Sequence, residues 1–330
     1  MGGWSLRTPG PAALVLAVAV AAAYAPSLAF PFVYEDANDF QAFYRDVSPS
    51  ELWVKPLRAL TQVTLLASQA VGGGDPWAYR AGNVAFHAFN SVLLLLLAWR
   101  IWSPSAAVFA AALFALHPLQ VEAVTYVSSR SDLVGAVGVL LALHAATLGS
   151  VAGAILGVVL AVLGKDTYAV AAGLVLLWAA WASPAFPWRR GVVLGAVGVV
   201  VAGAAAWLLR VPVALDGAHL LTALASIWWV ASSVVLPWGF TIDHDWLRLP
   251  AWWVWTSVVL TATAGLWALW WGRRSWLAFG VLWMLVSLAP RLFVPGVEGL
   301  HEHHFYLPMI GLCLCAGAWA SGSTARERTT

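Results

Sequence analysis

The chain has 330 residues, of which 62% are hydrophobic and only 10% are charged, and its mean hydropathy is +0.81. A water-soluble domain of this size needs more charged residues to cover its surface. The composition therefore excludes a soluble globular protein. The net charge of +2, without any basic run, gives no indication of nucleic-acid binding.

The apolar runs are continuous rather than alternating, as at residues 14–23 and 92–98, and this pattern favours helices over strands. The sequence therefore predicts an all-α, polytopic membrane protein with a single transmembrane domain over residues 1–330. Helices are predicted near residues 11–30, 80–101, 105–117, 131–148, 150–163, 167–182, 190–209, 220–237, 252–271, 275–290 and 304–320.

Arginine residues in short loops predict the orientation, because such loops stay on the cytoplasmic side. Arg7, Arg100 and the Arg189-Arg190 pair all fall inside when the N-terminus is placed there. If segment 220–237 crosses the membrane, the Arg273-Arg274 pair falls outside. This pair falls on the cytoplasmic side only if segment 220–237 lies along the outer interface or re-enters the membrane. We therefore predict about ten crossings with both ends cytoplasmic, as in a bacterial inner-membrane protein.

This topology leaves two long extracytoplasmic loops, residues 31–79 and 210–250, and a short cytoplasmic tail at 321–330. The first loop contains an amphipathic stretch at 57–70, which predicts an interfacial helix, and three glycines at 72–74 end it. The second loop contains segment 220–237, whose tryptophans suit an interface. No tetratricopeptide repeats are expected after residue 320.

The acidic residues form a few short clusters on the predicted outer side. Glu35, Asp36 and Asp39 follow the first apolar stretch, where one carboxylate can act as a general base while another orients it or binds a metal ion. The alternative is a solvated loop. The residue types at 243–245 (DHD) and 301–304 (HEHH) suit a weakly bound divalent ion better than a structural zinc site, whereas His144 is interpreted as a packing residue.

Two further groups of ionisable residues lie at junctions between predicted helices. His117 and Glu122 end one helix, and Arg130 and Asp132 begin the next; the alternative to a site is a helix cap with a surface ion pair. Lys165 either binds a phosphate as a point charge or pairs with its neighbour Asp166 at a turn.

A series of motifs, in order along most of the chain, resembles a known family. They are YED at 34–36, KPLRALT at 55–61, NVAFHA at 83–88, HPLQVEAV at 117–124, SRSDL at 129–133, KD at 165–166, LPWGF at 236–240 and HFYLP at 304–308. This order is similar to that in the membrane part of the transmembrane and tetratricopeptide-repeat O-mannosyltransferases, within the GT-C glycosyltransferase superfamily. The block at 117–133 is the most specific part.

The resemblance implies a GT-C-like fold and an inverting transfer of sugar from a polyprenyl-phosphate donor to a protein or glycan hydroxyl. It implies that Asp36, or Glu35, is the general base. His117, Glu122, Arg130 and Asp132 would form the floor of the site, and Lys165 with Arg130 would hold the donor phosphate. The remaining candidates are His301 and Glu302 for substrate binding, and Asp36 with Glu122 for a Mg²⁺ or Mn²⁺ ion.

Compared with the family pattern, the chain has Glu-Asp in place of Asp-Asp at 35–36, Ser129 in place of glycine, and Asp166 in place of glutamate. A non-catalytic subunit that packs against other membrane subunits is therefore the first alternative to an enzyme. A transporter is the second, although its ionisable residues would be expected nearer the middle of the membrane. In each case membrane lipids surround the chain.

Overall fold

The computed structural model describes residues 8–33, 36, 56–182, 195, 198, 217–237, 240, 250–270, 275–293 and 301–322. Every element in these ranges is helical and none is a strand, which confirms the all-α prediction. Glu35, Asp39, all of the predicted helix 190–209 except residues 195 and 198, and the cluster at 243–245 lie outside the described residues.

Twelve α-helices occur in the described ranges. The first six are α1 (Gly10–Tyr24), α2 (Ala59–Gly72), α3 (Pro76–Trp99), α4 (Pro104–Leu116), α5 (Val121–Thr125) and α6 (Arg130–Thr147). The next six are α7 (Val151–Gly164), α8 (Ala171–Ala182), α9 (Gly217–Val235), α10 (Ala251–Trp270), α11 (Trp276–Phe293) and α12 (Tyr306–Ala320). Short 3₁₀ helices lie at Ala25–Ala29, Pro56–Arg58, Pro118–Gln120, Val127–Ser129, Asp166–Val170 and Glu302–Phe305.

Local sequence signals set several helix ends. The side chains of Asp75, Ser103 and Ser150 accept hydrogen bonds from backbone N–H groups at the starts of α3, α4 and α7. Helix α2 ends at Gly73, whose φ of 58° lies in the left-handed region that favours glycine. The predicted helix at 57–70 is therefore present as α2, while its place at a membrane interface stays a prediction. The other predicted helices within the described ranges begin and end within a few residues of their observed bounds.

Helices α6 and α7 form a hairpin whose backbones touch. A Cβ atom on Gly138 would lie 2.2 Å from the backbone nitrogen of Ala161, and one on Gly157 would lie 2.6 Å from that of Ala142. Small residues permit this approach, which is a common way to pack helices in a membrane, where burial of apolar groups drives association weakly.

Several described helices are apolar enough to cross a membrane. Gly10–Ala29, Pro76–Trp99 and Ala251–Trp270 are long enough, and Pro104–Leu116 with Pro118–Thr125 makes a fourth span if this pair, bent by 50°, is counted as one. Shorter apolar helices are Val151–Gly164, Asp166–Ala182, Ala223–Val235 and Trp276–Pro290. These helices indicate an integral membrane protein. Ten crossings, the sidedness of the loops and a GT-C-like fold stay predictions.

Helix α9, the segment expected along the outer interface, packs on α10. The indole nitrogen of Trp228 donates to the carbonyl of Ser257 and the hydroxyl of Thr261, and that of Trp253 donates to the carbonyl of Ala225. Trp228 thus joins two helices within the protein, whereas it was predicted to anchor the segment at a membrane surface. Whether α9 crosses the membrane stays a prediction.

Several buried polar side chains between helices have specific hydrogen-bond partners. His87 contacts the Tyr306 hydroxyl at 2.8 Å and donates from Nε2 to the Ala115 carbonyl at 2.9 Å. His144 reaches the Leu93 carbonyl at 2.9 Å, which confirms its interpretation as a hydrogen-bonded packing residue. In an apolar bundle each such bond avoids the free-energy cost of an unsatisfied polar group.

Arg130 is almost fully buried at the first turn of α6. Its Nε donates to Asn83 Oδ1 at 2.7 Å, and Nη1 donates to the Thr64 carbonyl and the Ser68 hydroxyl, both at 2.8 Å. Its Nη2 donates to the Tyr79 carbonyl. One guanidinium group thereby joins α2, α3 and α6.

A second buried network joins α6 to the end of α7. Lys165 Nζ donates to Asp132 Oδ2, and the Tyr168 hydroxyl donates to the Asp132 carbonyl at 3.1 Å. The side chains of Lys165 and Asp132 are only 4% and 3% exposed, so solvent screens this ion pair little.

Replacing Gly138 by alanine tests the hairpin. We expect the added methyl group to force α6 and α7 apart and to lower the free energy of unfolding by about 1–3 kcal/mol, the usual cost of overpacking. Thermal unfolding of the variant in detergent measures this loss of stability. Gly10→Ala is the matched control, because no atom lies within 4 Å of its Cβ position. Equal melting temperatures for the two variants would contradict the close approach.

Replacing one member of the Lys165–Asp132 pair should lower the free energy of unfolding more than replacing both members. Lys165→Met leaves a buried carboxylate without its partner, at a cost of about 3–5 kcal/mol in unfolding free energy. The double variant Lys165→Met/Asp132→Leu should recover much of this loss. A double variant less stable than Lys165→Met in a thermal melt would show that the buried charge is not the cause.

Candidate active site

A cavity of about 390 Å³ lies between α5, the chain near residue 33 and the 3₁₀ helix Glu302–Phe305. Its described lining residues are Val33, Pro118, Val121, Glu122, Thr125, Tyr126, Phe240 and Glu302. The lining is mostly apolar and carries two carboxylates, with no lysine or arginine among these residues. A mostly apolar pocket with a few convergent polar groups is the usual form of a ligand site, so this cavity is the candidate active site.

The cavity forms where α4 stops and the chain turns. Pro118 disfavours a helical conformation at His117, which is extended with φ −68° and ψ 132°. His117 accepts a hydrogen bond at Nδ1 from the Leu119 N–H and donates from Nε2 to the Val234 carbonyl, both at 3.1 Å. His117 therefore holds the bend between α4 and α5, and its contact with substrate stays a prediction.

Glu122 joins α5 to the histidine-rich segment. Its Oε2 accepts the backbone N–H of His303 at 2.8 Å, and its Oε1 lies 2.9 Å from Nδ1 of the same histidine. Nδ1 of His301 lies 3.8 Å from Oε1. The structure thus brings together two predicted site residues, Glu122 and His301, that are far apart in sequence.

The segment 301–304 is buried and internally ordered. The backbone N–H of His301 donates to Nδ1 of His304 at 3.1 Å, and the His303 and His304 rings lie 4.1 Å apart. Glu302 is only 4% exposed yet borders the cavity. The predicted candidates His301 and Glu302 therefore lie at the cavity edge together with Glu122.

Asp36 binds the two residues that follow Tyr126, a residue of the cavity lining, in the chain. Its Oδ2 accepts the N–H of Val127 at 2.7 Å, and its Oδ1 accepts the N–H of Ser128 at 2.9 Å and the Ser128 hydroxyl at 2.6 Å. Burial raises the pKa of Asp36 above its ordinary value of 3.8, although the hydrogen bonds from Ser128 and Val127 and the charge of Arg80 act the other way.

The predicted site residues do not all meet at the cavity. The described contacts of Arg130, Asp132 and Lys165 are the two buried networks between helices. Asp166 pairs with Arg58 at 3.2 Å and Lys165 donates to Asp132, and the charge of Lys165 also acts on its neighbour Asp166. A phosphate contact of Lys165 and Arg130 stays a prediction.

The predicted cation site, Asp36 with Glu122, gains no direct support from the hydrogen bonds. Both oxygens of Asp36 accept backbone N–H groups, and these groups, unlike an imidazole N–H, do not lose their protons to make room for a metal ion. In the described part of the chain, the group whose ligand atoms lie within 4.8 Å of one another is Glu122 with His301 and His303.

Two residues that shape the cavity were not among the predicted candidates. Arg80, in the second turn of α3, donates to the carbonyls of Phe30, Pro31 and Thr125 and so fixes the chain on both sides of the cavity. An arginine inside an apolar helix was the available signal. His303 stands inside the HEHH motif, but no local pattern distinguishes it from its neighbours.

Comparison with known proteins gives relatives over part of the chain. The chain is 31% identical over 136 residues to Protein O-mannosyl-transferase TMTC3 of Mus musculus, a match covering 36% of this chain and 15% of that protein. The human TMTC3 protein is 29% identical over the same length. Human Protein O-mannosyl-transferase TMTC2 is 28% identical over 156 residues, 39% of this chain and 18% of the relative.

The chain thus spans less than a fifth of the length of the curated relatives that it matches. No family model matches it, and no solved structure matches it. Over rather more than a third of its residues, the chain is similar in sequence to these O-mannosyl-transferases.

Proposed function

We propose that this protein is a membrane glycosyltransferase that moves a sugar from a polyprenyl-phosphate donor to a hydroxyl group of a protein or glycan, with inversion at the anomeric carbon. One observation carries the proposal. Five of the eight described residues that line the cavity lie within 118–126, inside the block at 117–133 that is most specific for the O-mannosyltransferase resemblance.

The reaction requires the protein to place the two substrates and to supply one proton acceptor. The acceptor oxygen attacks the anomeric carbon from the side opposite the phosphate, the bond to the phosphate oxygen breaks, and polyprenyl phosphate leaves with the electron pair. A carboxylate takes the proton of the attacking hydroxyl. A mostly apolar cavity excludes water, which would otherwise compete with the acceptor.

Asp36 is the proposed general base. The Ser128 hydroxyl donates to it at 2.6 Å, so Asp36 already accepts a hydrogen bond from an alcohol in the geometry that proton transfer requires. An acceptor hydroxyl that replaces the Ser128 hydroxyl would meet the same oxygen. Val33 and Tyr126, which flank this contact in the chain, both line the cavity. Glu35 is the proposed alternative in the same loop.

Glu302 is the competing candidate for the base, because its side chain borders the cavity directly. Glu122 also borders the cavity, but its oxygens bond to the backbone N–H and the ring of His303 and not to a hydroxyl group. We therefore assign Glu122, with His117, to substrate placement rather than to proton transfer.

The first test is sugar transfer from polyprenyl-phosphate hexoses to serine- or threonine-containing peptides by the purified protein. Asp36→Asn should reduce the rate at least about 100-fold, the usual contribution of a general base. Asp75→Asn is the matched control, because Asp75 is an exposed helix cap that asparagine replaces well.

Full activity of the Asp36→Asn protein would exclude Asp36 as the base, and Glu302→Gln then becomes the decisive variant. A folded protein that transfers no sugar from any polyprenyl-phosphate donor would instead support the non-catalytic subunit. Uptake of a solute into vesicles containing the protein, without transfer, would support the transporter.

The pH dependence of transfer provides a second test. The base must be ionised, and burial raises the pKa of Asp36, so activity should fall as the pH is lowered through a value above 3.8. The residual activity of Asp36→Asn should lack this acidic limb. An acidic limb that persists unchanged in Asp36→Asn would assign the titration to another group.

A further inference from the structure

The geometry points to a binding site for one divalent transition-metal ion, of the zinc class, formed by Glu122, His301 and His303 at the edge of the cavity. The ligand atoms would be Oε1 of Glu122 and Nδ1 of each imidazole. All three residues are at least about nine-tenths buried, and their candidate ligand atoms lie within 4.8 Å of one another.

The spacing of these atoms suits a tetrahedral ion. Zinc–nitrogen and zinc–oxygen bonds of about 2.0–2.1 Å place two ligands of a tetrahedral ion roughly 3.3 Å apart. Oε1 of Glu122 lies 2.9 Å from Nδ1 of His303 and 3.8 Å from Nδ1 of His301, one slightly below and one slightly above this value. Small side-chain rotations are sufficient to accommodate an ion.

Neighbouring hydrogen bonds orient the ligands. The backbone N–H of His303 occupies Oε2 of Glu122 at 2.8 Å, which turns Oε1 towards both imidazoles. Nδ1 of His304 accepts the backbone N–H of His301 and so fixes the start of the segment that carries both histidines. Such outer contacts commonly hold metal ligands in place.

The ligand types determine the class of ion. Two imidazoles and one carboxylate suit zinc and related transition metals, whereas Mg²⁺ prefers oxygen ligands and keeps its water molecules. Three protein ligands leave a fourth position for water or substrate, as in zinc sites that act on substrates. The site differs from the Asp36–Glu122 pair predicted for Mg²⁺ or Mn²⁺ in two of its three ligands and in its metal.

A divalent ion here would also supply a charge that the described cavity lining lacks. That lining carries Glu122 and Glu302 but no lysine or arginine, whereas a polyprenyl-phosphate donor is anionic. An ion beside Glu122 would compensate the carboxylates and attract the phosphate. This role rests on the proposed glycosyl transfer; binding of the ion does not.

Metal analysis of the purified full chain tests the site. After equilibration with Zn²⁺ and removal of loosely held metal, mass spectrometry of the elements should find about one zinc ion per chain. Glu122→Gln, His301→Ala and His303→Ala should each lose most of it. His144→Ala should retain it, because this histidine bonds to the Leu93 carbonyl and is not in the cluster. No bound zinc in the unaltered protein, or equal zinc in all four variants, would overturn the site.

Two measurements keep the test decisive where a variant folds poorly. The melting temperature of the unaltered protein should rise with Zn²⁺ but not with Mg²⁺, and Co²⁺ in its place should give the visible absorption of a tetrahedral site. A response to Mg²⁺ alone would overturn the assignment. A protein that binds zinc but transfers no sugar would overturn only the proposed function, whereas transfer by metal-free protein would overturn only the role of the ion.

Discussion

The end of the bundle that carries the candidate site depends on one buried guanidinium group. Arg130 donates to two backbone carbonyls and two side chains on α2 and α3, and a Cβ atom on Gly82 would lie 2.6 Å from its Nη2. A charged group in an apolar interior is tolerated only when its hydrogen bonds are made. These bonds therefore fix where α6 begins and how α2 and α3 lie against it.

The contacts of the candidate site begin next to Arg130. The 3₁₀ turn before Arg130 presents the N–H groups of Val127 and Ser128, and Asp36 docks on them. Arg80, on the same α3 that Arg130 holds, ties the chain near Phe30 to α5. Glu122 then attaches the segment 301–305. The cavity thus lies where three chain segments meet, at 30–36, 118–128 and 301–305, and charge-assisted hydrogen bonds, which are stronger than those between neutral groups, join them.

Local patterns in the sequence predict the helices well, because apolar runs, caps at Asp75, Ser103 and Ser150, and the break at Gly73 all act within a few residues. They do not predict which polar groups meet. A charge such as Lys165 in an apolar chain suggests a ligand, yet its described partner is Asp132, 33 residues earlier. The partner of His303 lies 181 residues away. Such pairings are set by how the helices assemble, and no local period encodes them.

The distance between Glu122 and His303 along the chain also has a consequence for biogenesis. During synthesis Glu122 reaches the membrane long before His303 exists, so the cavity wall stays incomplete until the last described helix is inserted. Until then the Glu122 carboxylate lacks its partner at the edge of an apolar bundle, where it has to be hydrated or protonated. A nascent chain would therefore gain its site in one late step, when the arrival of residues 301–305 closes it.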